Sequence, residues 1–185
     1  MAYVAVLDAD VLHPHVAVDL LLRLAERRLF QPAWSEEILE EVHRSLIRRG
    51  FDPARIARRL DVMREQFPEA MTAEVGRFLA AVPAAVDPRD HHVVAAAFAA
   101  RADAIVTRNV RDFAPTQLIG LGIEVQSLDA FLRNQWSLDQ DALTDVLQQM
   151  EEDRTRPPKT VEEILVALRP LAPTFSDAVR GSVAP

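Results

Sequence analysis

Three pairs of side chains in this sequence have types and spacing suited to metal-assisted chemistry. Asp8 and Asp10 follow the apolar run AYVAVL, residues 2 to 7. Asp87 and Asp90 lie in DPRDHHVVAAA, residues 87 to 97, and Asn109 and Asp112 in TRNVRDF, residues 107 to 113. Carboxylates gathered in one crevice repel each other, and a hard cation with oxygen ligands relieves that repulsion. Magnesium and manganese bind in this way, often with water and substrate phosphate completing the shell. One or two such ions activate water and stabilise an in-line displacement at phosphorus, so no protein nucleophile is needed. Each pair alone says little. An Asp before a helix ordinarily caps it, and Asp10 alone reads as a turn residue.

The elements that must bring the pairs together are legible in the hydropathy pattern. Residues 2 to 7 read as a buried strand ending at Asp8, residues 104 to 107 (AIVT) as a second and residues 123 to 126 as a third. A helix is expected from Pro14 towards Leu29, with Val16, Leu20, Leu21, Leu24 and Leu29 on one face. Ser35 caps the next helix, which Gly50 closes, and Asp52-Pro53 opens another that runs to about Gln66. Between Glu69 and Val86 the pattern suggests a helix over about 72–81 and a brief strand before Asp87. The helix after Asp87-Pro88 carries Val93, Val94, Ala97 and Phe98 at helical spacing, and Ser127 caps a short helix through Leu132. Helices alternating with short apolar strands predict an α/β sandwich around a parallel sheet. In such a sheet the carboxyl ends of the strands share one edge, where crevices form, so the three pairs would converge there.

The helix from Ser35 supplies a further carboxylate by geometry. Ile38, Leu39, Val42 and Leu46 define its buried stripe, and at ~100° per residue Glu37 and Glu40 point away from it. Glu36 and Glu41 flank the stripe, and both remain candidates. From about Trp136 the pattern loses its strands. Helices are expected over 138–152, 160–168 and 175–179, with Thr160 and Glu163 forming a capping box and residues 154 to 158 a linker.

The chain of 185 residues suits one medium domain with a small appendage. It contains no run long and apolar enough to span a membrane, no signal-peptide pattern and no cysteine, which excludes thiolate metal sites and fits a reducing, cytoplasmic location. The net charge of −7 counts against a nucleic-acid partner, but its distribution is uneven. Residues 21 to 64 hold ten Arg against seven Asp and Glu, whereas residues 135 to 185 hold five basic and nine acidic residues. Local potential governs steering more than net charge does, so a basic face is compatible with the total.

With these residues placed, the chain resembles the PIN-domain family, and especially the toxin nucleases of VapC type in bacterial toxin–antitoxin pairs. The matching pieces are VLDADVL (6 to 12), SEEILEEV (35 to 42), DPRDHHVVAAA and TRNVRDF, in the family's order and spacing up to about Leu132. The tail resembles the helical extension of one VapC-like subgroup. The resemblance implies a PIN-like three-layer α/β sandwich with a central, mainly parallel sheet over residues 1–134, and a helical extension over 135–185. It implies a Mg2+- or Mn2+-dependent endoribonuclease, the toxin of a type II pair, partnered by RNA, a cognate antitoxin and, commonly, a second copy of itself. The family's acids fall on Asp8, Glu41 and Asp90, with Asp87 beside the last. Its fourth motif commonly has an acid where Asn109 stands, and Asp112 is expected to substitute. Asp10 departs from the Asn, Ser or Thr usual at its position. Thr107 is a supporting candidate through its hydroxyl, and Arg89, Arg108 and Arg111 are candidate contacts to RNA phosphates.

His13, His15, His91 and His92 lie in no HExxH-like frame and are expected to be solvated or capping. Two rivals differ in chemistry. The DADV turn is similar to that of haloacid-dehalogenase-type phosphatases, but their mechanism needs a lysine near the aspartates, and the sole lysine is Lys159 in the tail. A PIN fold that binds RNA or protein without cutting it is the other.

Overall fold

The computed structural model describes residues 2–153 and 158–183. Its centre is a four-stranded, all-parallel sheet in the order β2-β1-β3-β4. Strand β1 (Val4–Leu7) and strand β3 (Ala104–Thr107) lie side by side, with Leu7 in register with Val106, and Ala5 to Leu7 and Ala104 to Thr107 are all buried. A parallel strand covered on both faces must be continuously apolar, which is why AVL and AIV read clearly in the sequence. Strand β4 (Glu124–Ser127) pairs with β3, one residue later than its expected span.

Strand β2 (Gln31–Ala33) lies outside the expected elements, where the apolar spacing carries a helix to Leu29. Instead α1 (Ala9–Leu12) and α2 (His15–Glu26) follow β1, and the chain reverses through Arg28 at φ 61°. Three residues are too short to show periodicity, and Pro32 argues against a strand. At the edge of the sheet, however, its missing N–H has no partner to lose.

Helix α3 (Glu36–Arg48) starts where expected, its capping Ser35 hydroxyl accepting from Ile38 N at 3.3 Å. It packs on α1, on α4 (Pro53–Gln66) and on α5 (His91–Ala100). The expected helix over about 72–81 is a 3-10 helix, Val75–Ala81, and the strand expected before Asp87 is absent. The apolar residues Val82 and Val86 are buried there without a neighbouring strand to pair with, so burial alone produced the strand-like signal. Asp87 then caps a 3-10 turn, Pro88–Asp90, that leads directly into α5.

After β3 a 3-10 turn (Val110–Phe113) and α6 (Pro115–Ile119) return the chain to β4, and Ser127 caps α7 (Leu128–Leu138). This helix continues six residues beyond its expected end at Leu132, since Gln135 and Trp136 stay buried on its inner face. Three further helices follow, α8 (Gln140–Asp153), α9 (Val161–Leu168) and α10 (Pro173–Val183). The capping box at Thr160 and Glu163 is present; of the expected linker, residues 154 to 157 lie outside the described residues. Helices α8 and α9 pack on α2, and α10 packs on α7. Their buried side chains, including Leu143, Leu147, Met150, Leu165 and Phe175, are continuous with the main core.

Candidate active site

The order β2-β1-β3-β4 reverses direction between β1 and β3, and the crevice of a parallel sheet opens at the carboxyl ends of such a pair. Asp8 leaves β1 there, its backbone N–H donating to Val106 O at 3.0 Å, and its carboxylate caps α1 by accepting from Ala9 N at 2.7 Å. The hydroxyl of Thr107, the last residue of β3, donates to Asp8 Oδ2 at 2.7 Å and approaches Asp10 Oδ2 at 3.4 Å. Arg108 N donates to both Asp10 oxygens at 3.0 and 2.9 Å. The end of β3 thus fastens two carboxylates that follow β1, from positions about a hundred residues distant in sequence.

Burial followed by the charge of Asp10 raises the Asp8 carboxyl to about 7, against partial relief from the Thr107 hydroxyl. Asp10 is pushed up to about 6, chiefly by burial, with the Arg108 N–H and guanidinium opposing and Glu41 adding to the rise. At both carboxyls burial outweighs the groups that favour the charged form.

Glu41 faces this pair from α3, and Asp90, at the entrance to α5, stands near Glu41 in turn. Glu41 is half-buried, and its negative charge bears on Asp8, Asp10 and Asp90. The second flanking candidate, Glu36, is turned away and paired with Arg64, so the choice left open by helix geometry falls on Glu41. Asp90 is raised by burial and then by Asp87, Asp112 and Glu41. Asp112 belongs to the Asp90 side of the crevice, since its carbonyl accepts from Asp87 N at 2.8 Å. Asn109 donates its backbone N–H to Thr107 Oγ1 at 3.0 Å and is exposed.

Asp87 accepts from Arg89 N at 2.9 Å and is forked by the Arg89 guanidinium at 3.0 and 2.8 Å, which holds its carboxyl down at about 2. Arg89 is therefore engaged by Asp87, while Arg108 and Arg111 are exposed and form no direct ion pair among the described residues, the Arg108 guanidinium acting on Asp10 from further off.

Two histidines depart from the solvated or capping roles expected. His13 is buried, and its Nε2 has no partner among the described residues. His92 Nε2 stands 3.3 Å from Glu41 Oε2, at ion-pair range but off hydrogen-bond geometry. The His92 ring is the main influence holding Glu41 below the usual carboxylate value; although burial opposes it, Glu41 in turn holds the imidazole above its own. The signal for His92 was its place two residues after Asp90, facing α3, which only the α3–α5 packing reveals. His91 lies 3.1 Å from Val86 O, in keeping with a local structural role.

As a donor set, buried carboxylates and a threonine hydroxyl suit a hard divalent cation, and the raised Asp8 and Asp10 are what such an ion would relieve. The set is not drawn together fully: among the described residues, no three His, Asp or Glu groups stand close enough to hold an ion as they are.

An all-parallel α/β sandwich with an acidic crevice at its switch point defines the class, and comparison with known families agrees. A PIN-domain family model matches residues 4–111, and the chain belongs to the PIN-domain family. Residues 128–181 match the VapC50 C-terminal domain, so the tail is the extension of a VapC-type subgroup. A protein of Mycobacterium tuberculosis (strain ATCC 25618 / H37Rv), named "Putative ribonuclease VapC50", is 35% identical over 92 residues, which cover 50% of this chain and 54% of that protein. The chain thus spans about half the length of the curated relative it matches. No solved structure matches it significantly. No helix among the described residues is long and apolar enough to cross a membrane.

Proposed function

We propose that the protein is a magnesium- or manganese-dependent endoribonuclease and the toxin half of a type II toxin–antitoxin pair. The observation that supports this most is the pair Asp8 and Asp10, fastened by Thr107 and Arg108 at the β1/β3 switch point with Glu41 facing it.

Asp8, Asp90, Glu41 and Asp112 would hold the ion, with Asp10 and Asn109 completing or orienting its shell. A bound divalent ion supplies Lewis acidity, activating water and neutralising charge that develops on the phosphoryl oxygens. The protein's own contribution is placement. Thr107 fixes the Asp8 carboxylate through its hydroxyl, the Arg108 N–H fixes Asp10, and His92 holds Glu41 at the rim. Arg108 and Arg111 stand beside the crevice as cations able to orient a phosphodiester.

The partners of this reading are an RNA substrate and an antitoxin that blocks the acidic crevice, for which an inserted Arg is the natural complement. The relative's printed name, a ribonuclease, supports the substrate class. The test is cleavage of a varied RNA panel by purified protein with magnesium, manganese or EDTA. Activity with either metal, absent in EDTA and in Asp8→Asn and Asp90→Asn, is expected. Expression without the antitoxin should arrest growth; unaffected growth alongside RNA cleavage would remove the toxin role and leave the nuclease.

One observation favours the rival, a PIN fold that binds without cutting: no three candidate ligands are close enough to hold an ion as they stand. Metal binding without cleavage of any RNA would decide for it.

A further inference from the structure

Helix α7 begins where β4 ends and packs back over β4 and β3. Its eleven residues give it ~16 Å, enough to return the chain past the four residues of β4, so its last turn lies towards the amino ends of the strands. There a cavity of about 260 Å³ opens, on the edge of the sheet opposite the acidic crevice. Tyr3, Leu29, Phe131 and Leu138 make its apolar wall, and Glu124, Gln126, Asn134 and Gln135 its polar one. Phe131 is fixed from behind by an edge-to-face contact with Phe30, ring centres 4.9 Å apart. Leu138 is largely exposed and forms part of the rim.

The polar wall is joined by hydrogen bonds that leave acceptors over. Gln126 Nε2 donates to Glu124 Oε2 at 2.8 Å and to Tyr3 Oη at 3.0 Å, which uses both hydrogens of that amide. Gln126 Oε1 accepts from Asn134 Nδ2 at 3.1 Å. Gln135 is 2% exposed, yet its Oε1 has no hydrogen-bond partner among the described residues. A buried carbonyl oxygen without a donor lowers stability, so this one calls for a partner. Glu124 forms no ion pair among the described residues, and no Arg or Lys lines the cavity. Burial, then the charges of Glu124 and Asp103, raise the Tyr3 phenol above its ordinary value against the Gln126 hydrogen bond, in keeping with a negative potential there. What the wall lacks is a donor, and a charged one suits it best.

We propose that this cavity binds a small organic cation, a primary ammonium or guanidinium group on a short apolar body. The N–H groups of the head answer the Glu124 carboxylate and the Gln135 carbonyl oxygen, and charge-assisted bonds of this kind are the strong ones. The body takes the place of water against Leu29, Phe131 and Leu138. Pockets for drug-sized molecules start at roughly 300 Å³, so the body is limited to a few carbons. The site lies at the amino ends of the strands, whereas Asp8 and Asp10 lie at the carboxyl ends, so it stands whether or not the chain cuts RNA.

The probes are n-butylammonium, n-butylguanidinium, butan-1-ol and butyrate, four heads on one short body. Each is titrated into the full chain, isotopically labelled for NMR, and the side-chain amide signals of Gln126, Asn134 and Gln135 are followed. Both cations should shift these signals saturably and bind about tenfold or more tighter than butan-1-ol, and butyrate should not bind. Glu124→Gln, at an exposed position and still able to accept from Gln126, should weaken the cations about tenfold. Gln135→Leu should weaken them as well, while the empty variant melts no lower than the parent, because a buried unmet acceptor has been removed. A merely structural glutamine would lower the melting temperature. Asp8→Asn, which changes the acidic crevice, should leave cation binding here unaltered.

Equal affinity for butan-1-ol and the two cations would make the cavity an apolar pocket without charge selection and overturn the proposal. Cation binding unchanged in both Glu124→Gln and Gln135→Leu would do the same. Binding lost in Asp8→Asn would place the ammonium in the acidic crevice instead. No saturable shift with any probe would mean that the cavity holds solvent only, and the proposal would fall.

Discussion

Ionising Asp8 in the metal-free protein means placing a negative charge in a buried site already facing Asp10 and Glu41. Its carboxyl is held at about 7 against an ordinary 3.8, so the folded chain retains a proton that the unfolded chain releases. The stability this supplies is full below about pH 4 and is lost as the pH rises to about 7. Metal-free protein is therefore expected to melt at lower temperature at about pH 8 than at about pH 5, and magnesium or manganese should restore more at the higher pH. Equal melting shifts at both would contradict protons and metal competing for these groups. In Asp8→Asn the charge is gone, so at about pH 8 this variant should be more stable than the parent by on the order of 2 kcal/mol while losing cleavage. Urea titration at two pH values checks the first part. Thr107→Val removes the hydroxyl at 2.7 Å from Asp8. It should cost about 1 kcal/mol and raise the magnesium concentration needed for half-maximal cleavage, without changing which RNA bonds are cut.

Two short elements position the site, and each has a distinct vulnerability. Helix α3 delivers Glu41 from a start defined by Ser35, which is fully buried and caps the helix through its hydroxyl. Ser35→Ala should lower stability by about 1 kcal/mol in urea while leaving the metal dependence of cleavage intact, because Glu41 lies more than a turn inside the helix. Position of α3 relative to α5 matters more, since it brings His92 to Glu41. The sequence located α3, its cap and its buried stripe, and so narrowed the choice to Glu36 or Glu41. It could not show that Arg64 of α4 would engage Glu36, a pairing made across 28 residues. Strand β2 is illegible in the sequence for a related reason: a three-residue edge strand is defined by its neighbour β1, and local pattern does not record a neighbour.

At the scale of the whole molecule, the C-terminal helices behave as part of the core. Leu143, Leu147, Leu165 and Phe175 are buried against α2 and α7, and Asp129 of α7 accepts from Thr174 Oγ1 at 2.6 Å and Phe175 N at 2.9 Å. A chain ending at Leu138 is expected to aggregate or lose its cooperative melting transition, because the apolar faces of α2 and α7 would be uncovered. A truncated protein that remains soluble and melts cooperatively would instead mark residues 135 to 185 as an independent appendage. Asp129→Ala, which cuts the tie to α10 alone, should cost about 1 kcal/mol.

The amino-acid order by itself determined the buried strands, the capped helices and the fact that acids follow strand ends, since these depend on residues within one or two turns of each other. The parallel fold followed from that order together with the family resemblance. Tertiary packing alone decided which distant polar groups meet: Thr107 with Asp8, His92 with Glu41, and Arg59 with the end of α1. Electrostatic energy falls with distance through space, whereas sequence records only distance along the chain. Burial of His13, and the reach of Arg59 to its carbonyl, became visible only when α1 and α4 were placed together.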